Sequence, residues 1–183
     1  MTVLVKSTRI GWLWGGAGTL LLVPLVAMRI TNEVRWSAFD FAVMAALLAG
    51  MCVAWQWLSR ASANGRYRAG AGVALVAVLL LVWINGAVGL IGSENNPANW
   101  MYAGVIAILV GGAALARLRA AGMARTLRAT AVAQVAAGAV ALATGMGSEG
   151  AAWPGNVIAL SMFFAGAWLA SAWLFARADR SRG

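Results

Sequence analysis

The sequence predicts an all-α, polytopic transmembrane helix bundle: six spans arranged as three helical hairpins, with both termini cytoplasmic. Three observations predict it. First, 62% of the 183 residues are apolar and only 10% are charged, whereas a soluble domain is about half apolar and about a quarter charged. Too few charges remain to coat a water-facing surface. Second, the apolar residues fall into six uncharged runs, each close to the ~20 residues that cross a ~30 Å hydrocarbon core as a helix. Third, Lys and Arg gather in alternate connections. The runs are too long, and too little alternating, for barrel strands.

The runs are residues 10–28, 41–58, 69–92, 98–116, 129–147 and 155–176. They leave no room for a soluble domain, so the chain reads as a single transmembrane domain. The first run follows a basic start, Lys6 and Arg9, as a signal peptide does. It is expected to be retained, because it is long and Leu25 stands where cleavage after Ala27 wants a small residue. Pro24 is expected to kink it near its outer end. The second carries Cys52 mid-membrane, with no ionisable neighbour to activate the thiol. The third ends in Gly86, Gly89 and Gly92, a smooth ridge. Asn96 reads as an N-cap with Pro97 at the first helical position of the fourth, and Pro154 can start the sixth. Gly92 and Gly147 suit the left-handed position after a helix C-terminus.

Twelve of the fourteen Lys and Arg residues lie on one side. They are Lys6 and Arg9; Arg60, Arg66 and Arg68; Arg117, Arg119, Arg125 and Arg128; and Arg177, Arg180 and Arg182. The positive-inside rule makes that side cytoplasmic. The net charge of +9 then reflects topology and anionic lipid headgroups rather than nucleic acid. Trp12, Trp14, Trp55, Trp57 and Trp173 fall near one set of span ends, and Trp36, Trp100 and Trp153 near the other, as an interfacial belt does. Trp83 and Trp168 lie deeper and are expected to pack.

The chain has no histidine and one cysteine. That excludes an internal disulfide, haem or zinc held by His, and His general-base catalysis; no cofactor is expected. Charge-free spans argue against a proton relay. Chemistry is confined to the outer turns and to amides within the spans. Thr31-Asn32-Glu33, Gly92-Ser93-Glu94 and Gly147-Ser148-Glu149 occupy equivalent places and hint at an internal repeat. If the hairpins share an axis, Glu33, Glu94 and Glu149, with Asn96 and Asn99, would converge as a cation or partner site. The alternative is a set of tight, capped turns. Asn85 and Gln134 are expected to hydrogen-bond between helices. Gly11/Gly15, Ala46/Gly50, Gly112/Ala116 and Gly166/Ala170 are spaced for close approach of helices, within the chain or to a partner.

The stretch Val82-Trp83-Ile84-Asn85-Gly86-Ala87-Val88-Gly89-Leu90-Ile91-Gly92-Ser93-Glu94-Asn95-Asn96-Pro97-Ala98-Asn99, with Gly122-Met123-Ala124-Arg125, Ala129-Thr130-Ala131 and Gln134 downstream, resembles a group of bacterial integral membrane proteins without an established activity. The resemblance covers roughly Arg66 to Ala176; the N-terminal hairpin departs from it. It implies a multi-pass protein of the bacterial inner membrane and directs attention to Asn85, Glu94, Asn96 and Asn99. Together these features favour a non-enzymatic accessory or scaffolding subunit of a membrane complex, partnered by another membrane protein or a second copy. The alternative is a small transporter or channel with an acidic periplasmic mouth. A lipid-modifying enzyme has least support: with no His and acids only at the span edges, a metal site at Asp40 and Glu33 or at Glu94 is its only route.

Overall fold

A computed structural model describes residues 2–31 and 35–181, excluding the side chains of 2–10 and 12. It is all-helical among these residues: α1 (Thr2–Ile30), α2 (Ala38–Ala61), α3 (Gly65–Ala87), α4 (Met101–Leu115), α5 (Ala120–Thr144) and α6 (Gly155–Arg180), with a 3₁₀ turn at Pro97–Trp100 leading into α4. The six segments are long and apolar enough to cross a membrane, and the chain is a multi-pass membrane protein by that measure.

Five helices, all but α4, outrun their charge-free stretches at one end or both. α5 starts at Ala120 rather than near residue 129 and carries Arg125 and Arg128 within it, because a long Arg side chain extends to water while its backbone stays helical. At its other end α3 does the opposite and stops at Ala87, five residues before the apolar run ends. Residues 88–92 form a packed turn instead.

The chain divides into two compact units, Met1–Trp57 and Leu58–Gly183. In the first, Ser37 and Asp40 form a reciprocal cap at the start of α2. The Ser37 N–H donates to Asp40 Oδ2 at 2.7 Å, and the Asp40 N–H donates back to Ser37 Oγ at 3.3 Å. This is the capping-box solution for unpaired helix-start donors. Met44, Leu48 and Cys52 recur every four residues on α2 and are buried. Cys52 Sγ lies 3.8 Å from the Leu13 carbonyl oxygen of α1.

In the second unit α6 packs on both α5 and α3, and α4 packs on α5. Neighbours therefore run α3, α6, α5, α4: α5 and α6 lie side by side, whereas α3 takes α6 rather than α4 as its main neighbour. α6 supports this with a buried stripe at helical spacing: Val157, Ser161, Phe164, Trp168, Ser171 and Phe175. Small residues set the crossings. A methyl at Gly138 would collide with Ser161 Oγ, one at Gly70 would lie 3.0 Å from the Phe175 ring, and one at Gly112 would lie 2.5 Å from Thr126. Of the small-residue pairs read from the sequence, Gly112/Ala116 is thus used within the unit, Gly122 packing against Ala116 in turn. Trp168 is fully buried, but Trp83 is exposed.

At the arginine-rich end, Asn64 caps α3 by accepting from the N–H groups of Arg66 and Tyr67, and its own amide donates to Ser181 Oγ at 2.8 Å. The α4–α5 turn runs through Arg117 and Leu118 with φ of 47° and 56°, a left-handed region that costs a side-chain-bearing residue roughly 1–2 kcal/mol. Tyr67 holds the turn: its hydroxyl donates to the Leu118 carbonyl at 2.7 Å, and its ring meets Phe175 edge-on, centroids 4.8 Å apart. Tyr67→Phe keeps the ring contact and orphans that carbonyl. It is expected to lower stability by about 1–2 kcal/mol, read as a lower midpoint of thermal unfolding in detergent, with helix content unchanged.

Candidate functional site

The opposite end of the second unit is built from turns 88–100 and 145–154. α3 ends where Val88 and Gly89 both return their N–H groups to the Ile84 carbonyl. Gly89 then adopts φ +73°, and a β-carbon there would overlap the Ser93 carbonyl. The chain folds back over the Asn99 side chain, which is 4% exposed. Asn99 Oδ1 accepts from the N–H groups of Leu90 and Ile91 at 3.1 and 2.9 Å, while Nδ2 donates to the Ser93 carbonyl at 2.7 Å and more weakly to that of Ile91 at 3.4 Å. One amide thereby does for this turn what a further helical turn would have done. Asn85 Nδ2 donates to the Asn99 carbonyl at 3.3 Å, tying the end of α3 to the 3₁₀ turn. Asn96 Oδ1 caps that turn through the Ala98 N–H at 2.9 Å, with Pro97 following, as the sequence predicts.

The second turn meets the first backbone to backbone. Gly145, φ +69°, ends α5, and Gly147, φ +80°, lies against Gly92, φ +70°. A methyl at Gly147 would stand 2.6 Å from the Gly92 nitrogen. Both glycines are left-handed, as expected from the sequence, but neither stands next to its helix; Gly145 directly follows α5, and Gly89 follows the Val88 cap of α3. The two Gly-Ser-Glu segments share that glycine geometry and then diverge, one into the capped 3₁₀ turn and the other into turns leading to Pro154.

Two clefts flank the contact. One, of about 520 Å³, opens between α3 and α4 and is lined by Leu81, Asn85, Glu94, Trp100, Tyr102 and Ile106 among others. The other, of about 430 Å³, is lined by Gly92, Ser93, Asn96 and residues 147–150. Glu94 faces the first and Glu149 the second, and both are exposed; Asn95 Nδ2 donates to Glu94 Oε1 at 3.0 Å. Glu33 lies outside the described residues. Among those described, no three His, Cys, Asp or Glu side chains group as metal ligands do. Glu94 is the sole charged residue between Arg68 and Arg117, so the first cleft combines apolar walls, amides and one carboxylate.

Gln134 lies elsewhere. It sits about four turns into α5 and is fully buried, with neither amide atom meeting the interhelical partner expected of it. Other buried polar atoms without a protein partner in this unit include Tyr102 OH, Ser161 Oγ, Trp168 Nε1, Asn85 Oδ1 and Asn156 Oδ1. The Tyr102 hydroxyl is directed toward Ser161 without reaching hydrogen-bond geometry. A buried polar atom left unmet costs about 1–3 kcal/mol. Sequence reasoning singled out Gln134 and Asn85 but passed over Tyr102 and Ser161 and read Trp168 as packing. A hydroxyl at helical spacing among apolar residues was the available signal.

No family model, curated protein or solved structure matches the chain.

Asn99→Ala removes partners from four buried backbone groups at once and is expected to cost about 3–5 kcal/mol. Asn96→Ala removes one cap and is expected to cost about 1 kcal/mol. Unfolding midpoints of the two variants, measured side by side, check that order.

Proposed function

We propose that the protein is a non-enzymatic accessory subunit of a bacterial inner-membrane complex, joined to its partner through the helices of the first unit. The observation that carries this reading is a cluster of uncovered glycines on α1, where Gly11, Gly15, Gly16 and Gly18 fall within eight residues. In the second unit Gly70, Gly112 and Gly138 sit where two helices touch, whereas Gly65, Gly86, Gly104, Gly111, Gly155 and Gly166 are spread over three helices with nothing within 4 Å. In the first, Gly11, Gly15, Gly16, Gly18 and Gly50 have nothing of their own unit within 4 Å of where a methyl would be. Glycine lowers helix stability by about 1 kcal/mol relative to alanine. Apolar side chains alone would suit a lipid-facing helix, whereas small-residue faces are what membrane helices use to approach another helix closely. A partner helix on Gly11, Gly15 and Gly18 accounts for them.

The arrangement of charge supports an orientation with both termini in the cytoplasm. Arg66, Arg68, Arg117, Arg119, Arg177 and Arg180 flank one set of helix ends of the second unit, and Glu94 and Glu149 lie in the turns at the other. Arg177 stacks over Trp173, 4.9 Å from the ring centroid, as expected of an interfacial pair. The transporter alternative draws on the cleft beside Glu94 alone.

Extraction in mild detergent is expected to recover a stoichiometric membrane partner, and Gly11→Leu combined with Gly15→Leu to lose it. Recovery of the native chain alone, together with solute flux in proteoliposomes, would replace this reading with the transporter. For orientation, a green fluorescent protein fused to the C-terminus is expected to fluoresce, and alkaline phosphatase fused there to stay inactive.

A further inference from the structure

The polar atoms inside the second unit are not scattered. The Gly138–Ser161 contact fixes the register of α5 against α6, and the two helices run antiparallel. Gln134, four residues before Gly138, therefore lies about 6 Å along the axis from Ser161, on the side toward Trp168, which is itself about 10 Å from Ser161. Tyr102 of α4 points toward Ser161 from the other flank. Gln134 and Trp168 are fully buried, Tyr102 is 1% exposed and Ser161 6% exposed. Five side-chain atoms, the two of the Gln134 amide and one each from the other three residues, meet no protein partner. Thr130, equally buried, differs: its hydroxyl is satisfied by the Thr126 carbonyl at 3.0 Å. So does Ser171, whose hydroxyl donates to the Gly70 carbonyl at 2.7 Å. The core therefore contains polar residues that close on themselves and one column of polar residues that does not.

We propose that Tyr102, Ser161, Gln134 and Trp168 form a buried hydration site that binds water along the inner face of α6 and is supplied from the cleft between α3 and α4. The chemistry selects the ligand. The column offers donors (the Gln134 amide nitrogen, the indole N–H and two hydroxyls) and acceptors (the Gln134 carbonyl and the same hydroxyl oxygens). It contains no ionised group. A ligand that donates and accepts, carries no charge and fits between packed helices is water. Tyr102 provides the route, because it lines the cleft and also faces Ser161. Asn85, with an unmet carbonyl oxygen, lines the same cleft.

Hydroxyl-radical footprinting by X-ray radiolysis of the detergent-solubilised protein tests this, because radicals form from water beside the residue they modify. Tyr102 and Tyr67 are equally buried, but the Tyr67 hydroxyl has the Leu118 carbonyl. Tyr102 is expected to be modified several-fold faster than Tyr67, and Trp168 faster than the equally buried Phe164 and Phe175 by more than the greater intrinsic reactivity of indole accounts for. Gln134→Leu is expected to bring Trp168 down toward the phenylalanines. If Tyr102 matches Tyr67 and Trp168 exceeds Phe164 by no more than that intrinsic difference in the native protein, the column is dry, its groups bond one another directly, and the proposal fails. That comparison needs no variant, so it stands even if Gln134→Leu does not fold.

Discussion

Where a chain leaves the helix inside or beside a bilayer, its backbone N–H and C=O groups lose their helical partners and have little water to replace them. Much of the second unit is an answer to that constraint, and Asn99 is its centre. By receiving two N–H groups and returning two N–H bonds, its side chain allows residues 89–93 to turn back while still apolar enough to bury Leu90 and Ile91 completely. The left-handed Gly89 and Gly92 and the reach of this turn to Gly147 follow from α3 ending at Ala87. With a helix continued to Gly92, the turn would have no chain left to reach Gly147.

The constraint acts differently along the helices. Their backbones are self-satisfied, so association rests on close approach, and the order α3, α6, α5, α4 follows from where small residues stand. α6 can lie between two neighbours because Gly70 and Gly138 give it room on both sides. The cleft between α3 and α4 is the other side of the same arrangement: both helices are engaged elsewhere, and neither closes on the other along the face bearing Asn85 and Tyr102.

What the sequence could reveal follows the range of the interactions involved. Apolar run length and charge placement are local, and six helices were legible from them. So were the Asn96–Pro97 cap and the left-handed glycines, which depend on two or three adjacent residues. Boundaries were less legible. Arg125 and Arg128 hid nine helical residues of α5, because a charge-free criterion cannot distinguish the end of a helix from the end of the hydrocarbon. The role of Asn99 was not legible, since its partners are main-chain groups six to nine residues away, which residue types do not mark. Nor was the polar column, because Tyr102, Gln134 and Ser161 come from three helices and each alone passes for a tolerated polar residue. The glutamates show the converse: a recurring tripeptide was visible, but it placed Glu94 and Glu149 in different clefts.

The contact between Gly92 and Gly147 limits how this chain can vary. At most packed positions a larger side chain can be accommodated by a smaller one opposite, so paired changes drift together. Here both partners are already the smallest residue, each holds a backbone conformation that other residues adopt poorly, and the atoms in the way are main-chain atoms. No second change opposite either position can relieve the first. The two turns therefore form a joint without a compensating partner, and insertions or exchanges are better tolerated on the residues that surround it than at the joint itself.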